Sequence, residues 1–124
     1  MTRQPEGKLV SKARQTIVLR GGRPFKIQGG ADSFQEIAIP DLLCCYKGRF
    51  VGAEAKMPGN HATAKQAAIL DEIADAGGYA IVFTTVREVS RLLSIIDQEV
   101  EHATFGSTDW PRRYNGTEPV RRFR

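Results

Sequence analysis

Two β-rich runs separated by only two residues constrain this chain more than any other feature. Residues 39–46 and 49–56 are rich in branched, aromatic and small apolar side chains, and Lys47 and Gly48 lie between them. A two-residue connection of this kind predicts a β-hairpin, and its turn residues fix which positions of the two strands face each other. The spacing therefore predicts one antiparallel strand pair with a defined register.

That register brings two acidic side chains together. Asp41 lies opposite Glu54, and Lys56 lies on the same face of the sheet as both carboxylates. Carboxylates directly across a ladder have Cβ atoms about 5 Å apart, so they repel each other unless a cation neutralises them. Mg²⁺ prefers such oxygen ligands, and a neighbouring lysine stabilises negative charge on a phosphate. The alternatives are a strand-entry turn role for Asp41 and a solvated strand face for Glu54 and Lys56.

The other face of the hairpin is predicted to be part of the core. It carries Leu42, Cys44, Val51, Ala53 and Ala55. The adjacent cysteines Cys44 and Cys45 do not readily bridge to each other, so both are expected to be buried as small hydrophobic side chains.

A first helix and a short strand are predicted before the hairpin. Apolar side chains at helical spacing predict a helix over about 6–20, and Gly21 and Gly22 are suited to end it. Alternating apolar residues over 24–28 predict the strand.

Two capping-box signatures predict further helices after the hairpin. Thr63 and Gln66 precede one apolar helical pattern, and Thr85 and Glu88 precede another. For Gln66, a role limited to this cap is the alternative to any role in a functional site. Between the helices, the continuous apolar run 79–84 predicts a strand that is buried on both faces.

The resulting order, α-β-β-β-α-β-α, favours an α/β fold. The strand-helix-strand unit near the end predicts a parallel pair, while the hairpin is antiparallel, so the sheet is expected to be mixed and flanked by helices. We expect one domain over residues 1–104, including an extra C-terminal helix, and an irregular basic tail over 105–124.

The net charge of +4 is unevenly distributed. Residues 1–28 contain seven basic and one acidic side chain, residues 29–110 contain six basic and twelve acidic ones, and residues 111–124 contain five basic and one acidic. Two basic ends therefore flank an acidic middle. This pattern is compatible with a polyanionic partner and equally with two solvated ends.

No run of apolar residues is long enough to cross a membrane, and the first residues lack the apolar core of a signal peptide. From these features we expect a protein of the cytoplasm that has no membrane partner.

The motif Pro40-Asp41, followed after twelve residues by Glu54-Ala55-Lys56, resembles that of the PD-(D/E)xK nuclease superfamily. More narrowly, the chain is similar to the small VRR-NUC proteins of bacteria and their phages, which act in the bacterial or host cytoplasm. The resemblance implies a restriction-endonuclease-like αβββαβ core and metal-dependent hydrolysis of phosphodiester bonds in DNA.

The resemblance also implies roles for individual residues. Asp41, Glu54 and the backbone carbonyl of Ala55 would bind Mg²⁺ or Mn²⁺, and Lys56 would be the catalytic lysine. Two more residues would assist the site catalytically, namely Gln66 and Glu6, and Glu6 would also support the metal.

The partner implied is branched or junction DNA, cut by a homodimer that resembles a Holliday-junction resolvase. Basic residues expected to contact this DNA are Lys8, Lys12, Lys26, Lys65, Arg112 and Arg113. The alternatives are a non-catalytic DNA-binding module of the same fold, an exonuclease acting on linear DNA, and a nuclease acting on RNA.

Overall fold

The computed structural model describes residues 5–26 and 38–102 of the chain. The helices are α1 (Pro5–Leu19), α2 (Ala64–Asp75) and α3 (Val86–His102), and the strands are β1 (Arg23–Lys26), β2 (Leu42–Tyr46), β3 (Arg49–Ala55) and β4 (Tyr79–Phe83). Within these ranges the elements follow the predicted order; residues 27 and 28 of the first predicted strand lie outside them. None of the described helices is both long enough and apolar enough to cross a membrane.

The described strands form one mixed sheet in the order β1-β2-β3-β4. The pairs β1–β2 and β2–β3 are antiparallel, whereas β3–β4 is parallel and is connected through α2. The α/β class and the mixed sheet are therefore confirmed.

The hairpin turn sets the register that the sequence predicts. Tyr46 pairs with Arg49, and Leu42 at the far end of the ladder pairs with Ala53. Lys47 and Gly48 both have positive φ, 51° and 81°, as a two-residue type I′ turn requires. Positive φ is unusual for lysine, and the Nζ atom of Lys47 forms an ion pair of 3.0 Å with Asp97 of α3. This contact favours the turn conformation that fixes the register.

The main core lies between one face of the sheet and the pair of helices α1 and α3. The sheet contributes Leu42, Cys44, Tyr46, Val51, Ala53, Ala55 and Phe83, and the helices contribute Ala13, Ile17, Val89, Leu93 and Ile96. All five hairpin residues that the sequence assigns to the core are buried there.

Helix α2 packs on the opposite face of the sheet, so helices cover both faces. A Cβ atom on Gly52 of β3 would lie only 2.6 Å from Cδ1 of Ile73, and one on Gly78 would lie 2.9 Å from the backbone oxygen of Phe50. Gly52 therefore lets α2 approach β3 closely, and Gly78 lets the connection between α2 and β4 do the same.

We expect Gly78→Ala to destabilise the fold by about 1–3 kcal/mol, because the added methyl group would overlap a backbone atom that cannot rotate away. Urea unfolding measures the change. The exposed neighbour Ala76 provides the control, since Ala76→Ser should alter stability by no more than about 0.5 kcal/mol. Equal midpoints for Gly78→Ala and the unaltered protein would contradict the close approach of this connection to β3.

Two expectations about burial are wrong. In the described part of the sheet, β4 lies at an edge and Val82 is 38% exposed, so the apolar run is not buried on both faces. Cys44 is buried but Cys45 is exposed, because adjacent strand residues point to opposite faces and α2 does not cover the whole of the second face.

Candidate active site

Asp41 and Glu54 are joined by hydrogen bonds at the end of the β2–β3 ladder. Asp41 lies one residue before β2, and its backbone N–H donates to Oε1 of Glu54 at 3.3 Å. In the reverse direction, the backbone N–H of Ala55 donates to Oδ2 of Asp41 at 3.0 Å. These side-chain to backbone hydrogen bonds extend the contact between the two strands beyond the last paired residues of the ladder. They also hold both carboxylates in fixed positions.

Glu54 is buried rather than solvated. Only 4% of the residue is exposed, and it is the one buried charged residue within the described ranges. The Nζ atom of Lys56 lies 4.0 Å from Oε2 of Glu54, and the lysine side chain is 14% exposed. The alternative of a solvated strand face for Glu54 and Lys56 is therefore wrong.

Gln66 connects the first turn of α2 to the carboxylate pair. Its Nε2 group donates to Oε2 of Glu54 at 2.8 Å, while its Oε1 accepts from the backbone N–H of Thr63 at 2.9 Å. The backbone N–H of Gln66 in turn donates to Oγ1 of Thr63, which completes the predicted capping box. Gln66 therefore caps the helix and also contacts the candidate site.

Burial and mutual repulsion disfavour ionisation of both carboxyl groups. Burial, followed by the charge of Asp41, raises the pKa of Glu54 to about 7 against the opposing effect of Lys56. Burial also raises the pKa of Asp41, although the hydrogen bond from Ala55 acts in the opposite direction. A divalent cation between the two groups would relieve this repulsion.

The raised pKa of Glu54 predicts how stability depends on pH when no divalent cation is present. The unfolded chain ionises this carboxyl near its ordinary pKa of 4.5, whereas the folded chain ionises it near 7, so its charge costs stability progressively between those values. We expect the stability of Glu54→Gln relative to the unaltered protein to rise by about 1–3 kcal/mol between pH 4 and pH 8.

Urea unfolding in EDTA at several pH values measures this difference. Glu72→Gln, which alters an exposed carboxylate on α2, serves as the control and should show a constant difference. A gain for Glu54→Gln that grows towards acid pH would contradict the assigned direction of the shift.

The donor atoms fit a hard divalent cation. Two carboxylates and the backbone carbonyl of Ala55 are oxygen donors, which Mg²⁺ and Mn²⁺ prefer, with water or phosphate completing the shell. In residues 5–26 and 38–102, no group of three or more His, Cys, Asp or Glu side chains is arranged to hold a metal. Glu6 is near enough for its charge to raise the pKa of both Asp41 and Glu54, which is compatible with a supporting role.

All three helices begin at the end of the sheet that carries the carboxylates. The charge of Glu6 places the start of α1 there, and the Gln66 contact places the start of α2 there. Helix α3 begins shortly after Phe83, whose carbonyl accepts from the backbone N–H of Lys56 at 2.9 Å. Helix N-termini carry partial positive charge, which offsets part of the negative charge of the carboxylates at this end. Motif spacing alone does not reveal this feature, although the alternating order of strands and helices could have indicated it.

The basic residues predicted to contact DNA are only partly within the described structure. Lys8 and Lys12 are exposed on α1, and Lys65 is exposed in the first turn of α2. Lys26 is the last residue of β1. The side chain of Lys26 lies outside the described part of the molecule, as do Arg112 and Arg113.

The fold is similar to that of a solved VRR_NUC domain. The superposition has a TM-score of 0.62 and covers 74% of this chain and 97% of that domain, with 19% sequence identity. No family profile matches the sequence, and no curated protein matches it. Together with the αβββαβ order and the mixed sheet, the similarity shows that this chain has the fold of a VRR_NUC domain, as the resemblance in sequence implies.

Proposed function

We propose that this protein is a metal-dependent DNA endonuclease. The observation that carries the proposal is the pair Asp41 and Glu54, held against each other by reciprocal backbone hydrogen bonds with Lys56 beside them. Two neighbouring carboxylates, one of them buried, are costly for a fold, and a catalytic metal site gives a reason for keeping them. The VRR_NUC fold, which is of a nuclease type, supports the same conclusion.

Asp41, Glu54 and the carbonyl of Ala55 would hold Mg²⁺ or Mn²⁺. When bound, such a cation neutralises charge on the phosphate and lowers the pKa of a water molecule. The protein itself contributes the fixed geometry: the hydrogen bonds from the backbone N–H groups of Asp41 and Ala55 keep each carboxylate in one orientation.

Lys56 is proposed as the catalytic lysine. Its ammonium group lies on the same face of the sheet as Glu54 and is partly open to solvent, so a phosphate at the metal site would come within its reach. There it would donate a hydrogen bond to a phosphate oxygen or to the attacking water and offset the negative charge that develops as the P–O bond breaks.

Exposed basic side chains support a nucleic acid as the substrate, and the nuclease-type fold supports DNA. Three helices begin at the end of the sheet that carries the carboxylates, and Lys8, Lys12 and Lys65 are exposed on two of these helices. A duplex backbone is neutralised largely by lysine and arginine contacts. We propose that these three lysines contact the DNA phosphates. Lys26, Arg112 and Arg113 are proposed to make further phosphate contacts.

Within this activity, we propose branched or junction DNA as the preferred substrate and a homodimer as the active form. A two-fold symmetric dimer presents two equivalent sites, which suits paired cuts in two strands of a symmetric junction. Light scattering that gives the mass of one chain at working concentration would contradict the dimer.

A panel of labelled substrates tests the proposal. Linear duplex, flap, four-way junction and RNA of matched length are incubated with the protein in Mg²⁺, in Mn²⁺ or in EDTA. We expect internal cuts in DNA that require the cation and paired symmetric nicks in the four-way junction. Cleavage of RNA alone would assign a ribonuclease, end trimming of linear DNA would assign an exonuclease, and binding without any cleavage would assign a non-catalytic DNA-binding module.

A further inference from the structure

The N-terminal cap of α2 and the buried carboxylate of Glu54 share one side chain, that of Gln66. Oγ1 of Thr63 accepts from the backbone N–H of Gln66 at 3.1 Å, and Oε1 of Gln66 accepts from the backbone N–H of Thr63 at 2.9 Å. The Nε2 group of the same amide donates to Oε2 of Glu54 at 2.8 Å. The helix cap and the candidate site are therefore connected by hydrogen bonds through Gln66.

The cap determines which end of the amide faces Glu54. A carboxamide accepts only through its oxygen and donates only through its nitrogen. Because the backbone N–H of Thr63 binds the oxygen of Gln66, the NH₂ group must point towards Glu54. If the amide were turned over, two donors would meet at Thr63 and two oxygens would meet at Glu54.

We propose that Thr63 is a positioning residue for Glu54, acting through Gln66. By capping α2, Thr63 holds the Gln66 amide in the orientation that donates to Oε2, and this bond restricts the carboxylate to the position it has beside Asp41. The proposal rests on the proposed function, since it assigns Thr63 a role in preparing a metal ligand. Partners that orient a ligand typically change metal affinity about 10- to 100-fold when they are removed.

The second capping box of the chain provides a matched comparison. Oγ1 of Thr85 accepts from the backbone N–H of Glu88, and Oε1 of Glu88 accepts from the backbone N–H groups of Thr84 and Thr85. In the described part of the chain, the hydrogen bonds of the Glu88 carboxylate stay within this cap. Thr85 therefore has the same capping role as Thr63 but lacks its link to Glu54.

The experiment compares Thr63→Val, Thr63→Ser and Thr85→Val in the full chain. Valine keeps the branched shape and removes the accepting oxygen, whereas serine keeps the oxygen. Three quantities are measured: the melting temperature, the affinity for Mn²⁺ from the spin-resonance signal of the free ion, and the ¹H–¹⁵N resonances of the Gln66 side-chain amide.

We expect both valine variants to melt about 5 °C below the unaltered protein, because each loses one helix cap. Of the two valine variants, only Thr63→Val should shift the Gln66 amide resonances and bind Mn²⁺ about 10-fold more weakly. Thr63→Ser should keep the Gln66 resonances and the Mn²⁺ affinity of the unaltered protein.

Unchanged Gln66 resonances or unchanged Mn²⁺ affinity in Thr63→Val would overturn the positioning role. An equal loss of affinity in Thr85→Val would also overturn it, because the effect would then reflect general loosening of the fold. If the unaltered protein binds no Mn²⁺, the proposed function fails instead, and the Gln66 resonances still decide whether Thr63 orients the amide.

Discussion

Asp41→Asn and Glu54→Gln should each reduce metal-dependent DNA nicking to background while the protein remains folded. Asparagine at position 41 keeps an oxygen that can accept from the backbone N–H of Ala55, and it removes the negative charge that a cation needs. Removing one of two neighbouring negative charges also relieves the repulsion between them, so electrostatic repulsion should not destabilise either variant in EDTA. Nicking of a supercoiled plasmid in Mg²⁺ or Mn²⁺ measures the activity.

Exposed acidic residues on α2 provide the control for these substitutions. Asp71→Asn and Glu72→Gln remove the same charge from positions in solvent, so both should nick DNA at the normal rate. Asp41→Ala and Glu54→Ala extend the test to variants without any side-chain oxygen. Normal cleavage by variants of both Asp41 and Glu54 would show that the catalytic site lies elsewhere.

Lys56→Met should reduce turnover on the order of 100-fold or more and leave the binding of metal and DNA largely intact. Methionine retains most of the length and the apolar stem of lysine, and it lacks the ammonium group that lies 4.0 Å from Glu54. Single-turnover cleavage under saturating protein separates the chemical step from binding, which is measured by fluorescence anisotropy in Ca²⁺.

Two outcomes would argue against this role for Lys56. Full activity of Lys56→Met would remove the lysine from the reaction, and a loss of DNA affinity equal to the loss of turnover would make it a binding residue. Lys65→Met is the matched control, because Lys65 is exposed in the first turn of α2 and is proposed to contact only the DNA backbone. It should weaken binding and reduce the dependence of affinity on salt.

The strand register and the helix caps could be predicted because short-range rules determine them. A two-residue turn leaves one pairing of β2 with β3, and that pairing alone brings Asp41 and Glu54 together. The capping boxes of α2 and α3 are likewise set by residues three apart in sequence. The position of Glu6 was anticipated only through the resemblance to a family.

Burial could not be predicted to the same extent, since it depends on which elements pack over each face. Val82 and Cys45 lie in apolar runs, yet the position of β4 at the edge of the described sheet and the limited reach of α2 leave both exposed. The burial of Glu54 was missed for the converse reason. A glutamate close to a lysine is typical of a solvated strand, and the contact with Gln66 at the start of α2, which helps to cover the carboxylate, is a tertiary contact.

The turn at Lys47 and Gly48 has a consequence for how this chain can tolerate insertions and deletions. Surface turns usually accept added residues, because few buried contacts depend on their backbone. Here one residue added to the turn would slide β2 against β3, and Asp41 would then leave its place opposite Glu54 and move to the other face. The turn lies about five residues, or roughly 17 Å, from the carboxylates, yet we expect its length to be as constrained as the identity of the acidic residues themselves. A library of single-residue insertions should therefore lose cleavage at this remote loop as completely as at the site.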